Sequence, residues 1–319
     1  MICFYPPRRA DLRGFEELSA LQGARVLITG AGGMLGGAFA RNLAEHVPSA
    51  VVAALDRNAF DVRQREQARA LSAWRPDIVI HCAVCSDVNW CEDHPDDAAQ
   101  VQLEGARHVA ELARDCGARF FFPQTFLIYD GSQPVDETTP THPLSAYGRL
   151  KLEAEHIVLD RVPEALTVRM GGFFGEHARD KNFVGKLIPH LAGLLRAGVE
   201  RLEIGDRVWQ PTLTDDLAYN SLLLLARGET GRFCMASHGQ ASFFELAREI
   251  ACQLGLERRI EIVRVPAEAM ARKEKAVRPD AVVMRNAALQ ARGLDRQRRW
   301  QDSLAGYLHH SYFTEMFAP

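Results

Sequence analysis

Net charge, long apolar runs and cysteine are all scarce in this chain. Its 319 residues carry 38 Lys and Arg against 41 Asp and Glu, a formal balance of −3. So weak a balance leaves no global field to attract nucleic acid or an anionic membrane. No stretch approaches the roughly 18 apolar residues of a membrane span. Leu222 to Leu225 is the best run, and it lies inside an amphipathic pattern. Residues 1–22 lack the apolar centre of a signal peptide, with Pro6, Pro7, Arg8 and Arg9 where one would lie. They read as an N-terminal extension, an arm that packs on the body or on a partner subunit. The seven cysteines are unevenly spaced, which suits reduced thiols and a cytoplasmic protein rather than a disulfide framework. Cys82-Ala83-Val84-Cys85, then Cys91 and His94, form a cluster. No second C-x-x-C completes a zinc site, so no metal is expected and the cysteines read as incidental members of a loop. The basic run Arg296 to Arg299 has no interleaved aromatics and reads as a solvated helix face. Internal repeats, low-complexity tracts and flexible linkers are absent as well.

What is present is an ordinary globular composition, 47% hydrophobic and 25% charged, long enough for one large domain or two smaller ones. Strand and helix patterns alternate from residue 25 to about 170. Strands are predicted at 25–29, 51–55, 77–82, 119–123 and 166–170, with helices at 34–46, 64–73, 96–116 and 145–161 between them. Such alternation argues for an α/β fold, a doubly wound parallel sheet of Rossmann type with helices on both faces. Beyond 170 the pattern loosens. Helices near 181–197, 214–226, 241–254 and 301–309 and a strand near 201–204 fit a smaller C-terminal α/β region over the carboxyl ends of the strands. The expected division is an extension at 1–22 and a dinucleotide-binding domain at 23–170 that also takes in 206–237. Residues 171–205 and 238–319 would form the substrate-binding region.

The strand at 25–29 runs into Thr29-Gly30-Ala31-Gly32-Gly33-Met34-Leu35-Gly36, and a helical pattern follows. Glycines at this junction have separate uses. Gly30 permits a tight turn, Gly33 lets backbone approach a phosphate, and Gly36 lets helix pack on strand. The helix start then offers free N–H groups and a positive dipole end to a pyrophosphate. The spacing is G-x-x-G-x-x-G rather than G-x-G-x-x-G. A second strand ends in Asp56, a carboxylate able to accept from the adenosine ribose hydroxyls. Arg57 follows it and could instead clamp a 2′-phosphate. Farther on, Ser145-Ala-Tyr147-Gly-Arg-Leu-Lys151 puts a phenol and an ammonium four residues apart, on one face of a helix. A free phenol has a pKa of about 10, and a neighbouring cation would lower it. The pair is a candidate acid/base device.

Taken together, these residues resemble the extended short-chain dehydrogenase/reductase family, with the closest similarity to its dTDP-4-dehydrorhamnose reductase group of nucleotide-sugar 4-ketoreductases. The resemblance runs from about residue 24 to 309. Thr29 to Gly36 matches the glycine motif, and Leu55 to Val62 the segment that closes over adenine. Arg75 to Ile80 leads into the loop along the cofactor. Thr125 lies on the strand of the catalytic hydroxyl, and Pro143 to Lys151 forms the catalytic helix. Arg169, Lys181 to Val184, Pro211-Thr212, Asp216 to Ala218 and Arg278-Pro279 recur in the substrate half.

The resemblance implies NAD(P)H-dependent reduction of a keto group on a nucleotide-linked deoxysugar. Tyr147 would protonate the forming alkoxide, Lys151 would lower its pKa and hold the nicotinamide ribose, and Thr125 would bond the reacting oxygen. Implied cofactor contacts are Gly30, Gly33, Met34, Leu35, Gly36, Asp56, Arg57, Asp61, Val62, Cys82, Ala83, Val84, Tyr147 and Lys151. Implied substrate contacts are Thr125, Phe126, Gly172, Asn182 and Trp209. The cofactor is NADP or NAD, with a slight lean to NADP, because relatives with an Asp-Arg pair accept both. A homodimer is the other implied partner.

Four departures bear on the substrate. Phe126 and Leu127 follow Thr125 where the family carries polar residues. Gly172 replaces a usual Trp, Trp209 stands where small residues are usual, and Gln102 takes the place of an Asn. The pocket is therefore expected to suit something other than dTDP-4-dehydrorhamnose. Two alternatives stay open. One is an epimerase or dehydratase of the same superfamily, although Phe126 and Leu127 replace the acidic pair of dehydratases. The other is a non-catalytic NADP-binding subunit, similar to the regulatory beta subunit of methionine adenosyltransferase.

Overall fold

The computed structural model describes residues 16–131, 134–268 and 274–317. Most of the expected N-terminal extension, residues 1–15, lies outside them. Its end is described: Leu18 and Leu21 are fully buried, and Glu17 accepts from the Tyr219 hydroxyl and from Arg296.

A six-stranded parallel sheet organises the molecule. Its strands are β1 (Arg25–Thr29), β2 (Val51–Leu55), β3 (Ile78–His81), β4 (Arg119–Thr125), β5 (Leu166–Met170) and, after four short strands, β10 (Gly231–Met235). The order across the sheet is β10-β5-β4-β3-β1-β2, and every neighbouring pair is parallel. The central strands are apolar on both faces, as a sheet covered on both sides requires. Edge strand β2 leaves Val51 and Val52 exposed.

The helices at 34–46, 65–72, 105–116 and 146–161 fill the crossovers. They are α1 (Met34–His46), α2 (Arg65–Ser72), α4 (Gly105–Cys116) and α5 (Ala146–Arg161), with the short α3 (Val88–Asp93) between α2 and α4. A π-helical turn, Gln100–Glu104, leads into α4. Alternate residues of each strand feed opposite cores. Val26, Ile28, Ile78, Ile80 and Phe121 pack with Phe39 and Leu43 of α1 and with the buried leucines of α7 (Thr214–Ala226). Leu27, Val79, Phe120 and Phe122 pack on the other side with α4 and with Ala154 and Val158 of α5.

Strand order reverses between β1 and β3, one going on to β2 and the other to β4. Ligands of open α/β sheets bind outside the carboxyl ends of the strands at such a switch point.

The C-terminal region has its own core. Val184, Leu187, Ile188 and Leu191 of α6 (Phe183–Arg196) meet Leu246 and Ile250 of α8 (Phe243–Gln253) and Trp300 and Leu304 of α9 (Trp300–Leu308). Short sheets knit it together: β6 (Phe173–Phe174) with β9 (Thr212–Leu213), β7 (Arg201–Gly205) with β12 (Glu261–Val265), and β8 (Val208–Trp209) with β11 (Ala241–Ser242). Strands β10 and β12 were not among those read from sequence. Among the described residues no helix is long and apolar enough to cross a membrane.

Candidate active site

At the end of β1 the chain turns so tightly that side chains have no room. Gly30 has φ +68°, and a Cβ there would lie 2.6 Å from the Ala83 backbone nitrogen. A Cβ on Gly36 would lie 2.5 Å from the Gly30 carbonyl oxygen, and one on Gly33 3.2 Å from it. Helix α1 begins at Gly33 with no side-chain cap and no acidic residue in its first turn. A bare helix start, closely approached by backbone, fits an anionic group. Met34 and Leu35 open this helix. Leu35 sends its side chain into the core, so only its backbone stays at the turn.

Asp56 follows β2 directly, beside the turn, its Cβ 3.3 Å from where a Gly32 side chain would start. One carboxylate oxygen accepts from the Asn58 and Ala59 amides, and Arg57 is exposed. Asp61 is held by Arg63, whose guanidinium keeps its carboxyl below the ordinary range against a smaller effect of burial. Val62 is buried and packs where a Gly105 side chain would be, while its carbonyl accepts from His108 Nδ1. An ion pair thus fixes Asp61 and packing fixes Val62 in the segment after β2.

Thr29 ties the two switch-point strands together. Its hydroxyl meets His81 Nδ1 at 2.8 Å and accepts from the Ala83 amide at 3.3 Å. His81 is fully enclosed and pushed down to about 3, by burial and then by Lys151, so it stays neutral. The following loop, with Cys82, Ala83, Val84 and Cys85, passes between the glycine turn and helix α5. Gln102 pins it, accepting from the Cys85 amide and donating to the Cys85 carbonyl. Gln102 thus supports this loop from the π-helical turn.

Helix α5 starts at an N-cap, Ser145, whose hydroxyl accepts from the Gly148 amide. Glu92 of α3 accepts from the Ala146 amide at 2.6 Å. A Cβ on Gly148 would lie 2.4 Å from the Leu127 carbonyl oxygen. This glycine therefore lets the helix start sit directly on the turn after β4, and the contact brings Tyr147 into the neighbourhood of the Thr125 hydroxyl. Burial pushes the phenol up, Cys91 and Cys85 add to the rise, and Thr125 opposes it. That direction is opposite to the lowered phenol expected from Lys151. The ammonium of Lys151 instead donates to the Pro123 carbonyl at 2.7 Å and sits 4.0 Å over the Phe122 ring. Burial draws it down to about 7, with Cys82 and Glu155 resisting. A phenol that keeps its proton at neutrality suits an acid, the role a forming alkoxide needs.

Below Lys151 lies a network the sequence reading missed. Glu155 is fully buried and takes hydrogen bonds from Arg169, Arg232 and Gln124. Burial alone would raise its carboxyl, but these partners, Arg169 foremost, hold it below the ordinary range. Gln124 also donates to the Lys151 carbonyl and accepts from the Thr125 amide. One side chain thus fixes strand and helix together. The available signal was spacing, since Tyr147, Lys151 and Glu155 repeat every fourth residue on one face.

Of the residues expected to meet substrate, Phe126 packs against the buried cluster that holds Ile128, Tyr129 and Val282. Gly172 and Trp209 meet directly. A Cβ on Gly172 would lie 2.2 Å from the Trp209 ring, so the indole fills the space that a side chain at 172 would take. Trp209 is 6% exposed and packs with Phe183 and Phe243. Asn182 caps nothing with its side chain. Its amide donates to the Phe173 carbonyl and lies 3.8 Å from the Met34 sulfur, joining the C-terminal region to the glycine turn. Among the described residues no group of His, Cys, Asp and Glu is arranged to hold a metal.

Comparison with known proteins matches this arrangement. The family described as the RmlD substrate binding domain matches residues 24–313. A dTDP-4-keto-6-deoxy-D-glucose reductase of Streptomyces niveus is 33% identical over 288 residues, 88% of this chain and 95% of the relative. A dTDP-4-dehydrorhamnose reductase of Streptomyces griseus is 32% identical, covering 88% of this chain and 91% of its own. Among solved structures, a dTDP-4-dehydrorhamnose reductase of Clostridium acetobutylicum superposes with a TM-score of 0.82 at 29% identity, over 89% of this chain and 98% of that one. Another, from Bacillus anthracis in complex with NADP, also has a TM-score of 0.82, at 25% identity over 90% and 99% of the two chains.

Proposed function

Because this chain belongs to the RmlD substrate binding domain family, with the fold of the extended short-chain dehydrogenases/reductases, we propose that it reduces a keto group on a dTDP-linked deoxysugar with NADPH or NADH. The carrying observation is the placement of Tyr147. It stands in the first turn of α5, one helical turn before Lys151, where Gly148 seats the helix start against the Leu127 carbonyl just after β4 and Thr125. The loop beside it is the one that packs on the glycine turn. The turn fits a dinucleotide because Gly30, Gly33 and Gly36 leave no room for side chains and α1 starts uncapped. Gly30, Gly33, Gly36 and Asp56 would hold it, with Arg57 favouring a 2′-phosphate. NADP in the Bacillus anthracis relative supports the phosphorylated form.

The bound nicotinamide supplies the hydride. The protein's residues handle the proton and the position. Thr125 orients the ketone oxygen and the phenol together. Tyr147 gives its proton to the oxygen as negative charge develops there. The phenolate left behind lies in the first turn of α5, where the helix dipole favours an anion, and Lys151 one turn on favours it further in its protonated form, which burial limits to pH values below about 7. Proton transfer of this kind contributes roughly 10²–10⁴-fold. Trp209 standing in for a side chain at 172 supports a sugar pocket unlike that for dTDP-4-dehydrorhamnose.

The test is consumption of NADPH or NADH against a panel of dTDP-4-keto-6-deoxysugars, with Tyr147→Phe as control. Turnover on one member, lost in the control while cofactor still binds, establishes the reaction. Cofactor binding with no turnover on any member would leave a binding role in its place.

A further inference from the structure

The C-x-x-C spacing points to Cys82 and Cys85, but the fold pairs different thiols. Cys85 Sγ lies 3.8 Å from Cys91 Sγ, and Cys91 Sγ lies 3.7 Å from the Cys85 carbonyl oxygen. Cys85 is half-buried on the loop beside the glycine turn, while Cys91 is wholly buried on α3. Gln102 holds both ends of the pair, bonding the Cys85 backbone and approaching Cys91 Sγ at 3.9 Å.

We propose that Cys85 and Cys91 are a modification site, an oxidisable pair that a hydroperoxide closes into a disulfide, loosening the start of the catalytic helix.

The chemistry follows from the two environments. Contact with Cys91 draws the Cys85 thiol down against burial, with the Asp87 backbone assisting, and Cys91 is pushed up in turn. Cys85 is therefore the attacking thiolate and the one a small oxidant can reach. Its sulfur attacks the peroxide, the O–O bond breaks, and an alcohol or water leaves as Cys85 becomes a sulfenic acid. Cys91 then attacks that sulfur and gives up its proton, the S–O bond breaks and water leaves. Two thiols have lost two electrons and the peroxide has gained them.

Closure must bring the sulfurs from 3.8 Å to about 2.0 Å. The motion falls on α3, whose next residue, Glu92, caps α5 at Ala146. Helix α3 also holds the substrate half, because Asn89 accepts from the Ala276 amide and from Arg278. Both thiols lie near enough to Tyr147 to act on its proton. A displacement here reaches the acid, its helix cap and the segment over the substrate at once.

The experiment treats the full-length protein with stoichiometric hydrogen peroxide, then alkylates free thiols and maps the peptides by mass. Expected results are a Cys85–Cys91 bridge, faster amide hydrogen exchange at residues 146–148, and turnover lowered on the order of tenfold or more, all reversed by dithiothreitol and absent in Cys91→Ser. Should Cys91→Ser fail to fold, the half-buried Cys85→Ser serves in its place. The turnover arm rests on the reductase reading above. Mapping and exchange do not, so failure of that reading leaves them decisive. Sulfinic acid on Cys85 without a bridge, a bridge to Cys82, or a bridge that alters neither exchange nor turnover overturns the proposal.

Discussion

The surroundings of the glycine turn and those of Gly172 are built from different materials. Around the glycine turn the surfaces are backbone: Gly30 lies against Ala83, and Gly36 against Gly30. Around Gly172 they are side chains: the Trp209 indole, braced by Phe183 and Phe243. Backbone cannot step aside without moving a strand, whereas a ring can be exchanged for another from a different position. The first region is therefore held to one shape. The second can be re-shaped while the strands and the acid stay in place. Tyr147 and Lys151 sit at the seam, on a helix fixed to β4 by Gln124 and to the turn after it by Gly148.

The largest effect belongs to the seam. Tyr147→Phe removes the acid and keeps the ring, so the turnover rate should fall about 10²–10⁴-fold. Dissociation constants for NADPH, measured by fluorescence titration, should change little. If turnover survived, the proton would have to come from elsewhere and the two regions would lose their common centre.

Next comes the rigid side. Gly30→Ala sets a side chain at φ +68° with its Cβ 2.6 Å from backbone. The left-handed conformation costs about 1–2 kcal/mol and overpacking about 1–3 kcal/mol more. Stability to urea should drop on the order of 3 kcal/mol, with NADPH affinity falling too. A variant as stable and as tight-binding as the parent would show that this turn yields after all.

The side-chain region should behave differently. Gly172→Ala puts its Cβ 2.2 Å from the Trp209 ring and should destabilise by about 2 kcal/mol. Trp209→Ala opens a cavity and destabilises by itself. Combined, the two should cost less than their sum, because the new methyl enters space the indole has left. Strict additivity in urea melts would mean that the ring and the glycine do not share that space.

The same contrast explains what could be read from the sequence. The tight turn at the glycines and the alternating strands were legible because backbone constraints act between near neighbours and fix residue type. Tyr147 and Lys151 were legible through their spacing on one helix. Glu92 was not, since nothing local ties residue 92 to the amide of Ala146. The Glu155 network was hidden for the same reason: its partners Gln124, Arg169 and Arg232 come from three strands. The direction of the Tyr147 shift was misread because burial, the largest cause, depends on the whole fold, while the cation expected to counter it points to Pro123.

The smallest predicted effect separates burial from charge at the seam. Lys151 is 5% exposed and drawn down from 10.5 to about 7. Between those values the unfolded chain holds the proton and the folded protein does not. The unfolded state therefore binds more protons, and stability rises with pH through this window. Cys82, pushed up from 9.0 to about 12 by burial, acts in the other direction above its unfolded value, while Cys85, drawn from 9.0 to about 7, acts in the same direction as Lys151, so the comparison is made between pH 7 and about 9 as a difference from a variant that keeps both thiols. Urea melts without added cofactor should give a difference between the parent and Lys151→Met that grows with pH, at about 1 kcal/mol per unit. A flat difference would mean that the Pro123 carbonyl and the Phe122 ring keep the ammonium charged against burial. The phenol would then face a permanent cation one turn away, and the seam would be electrostatic rather than a product of enclosure.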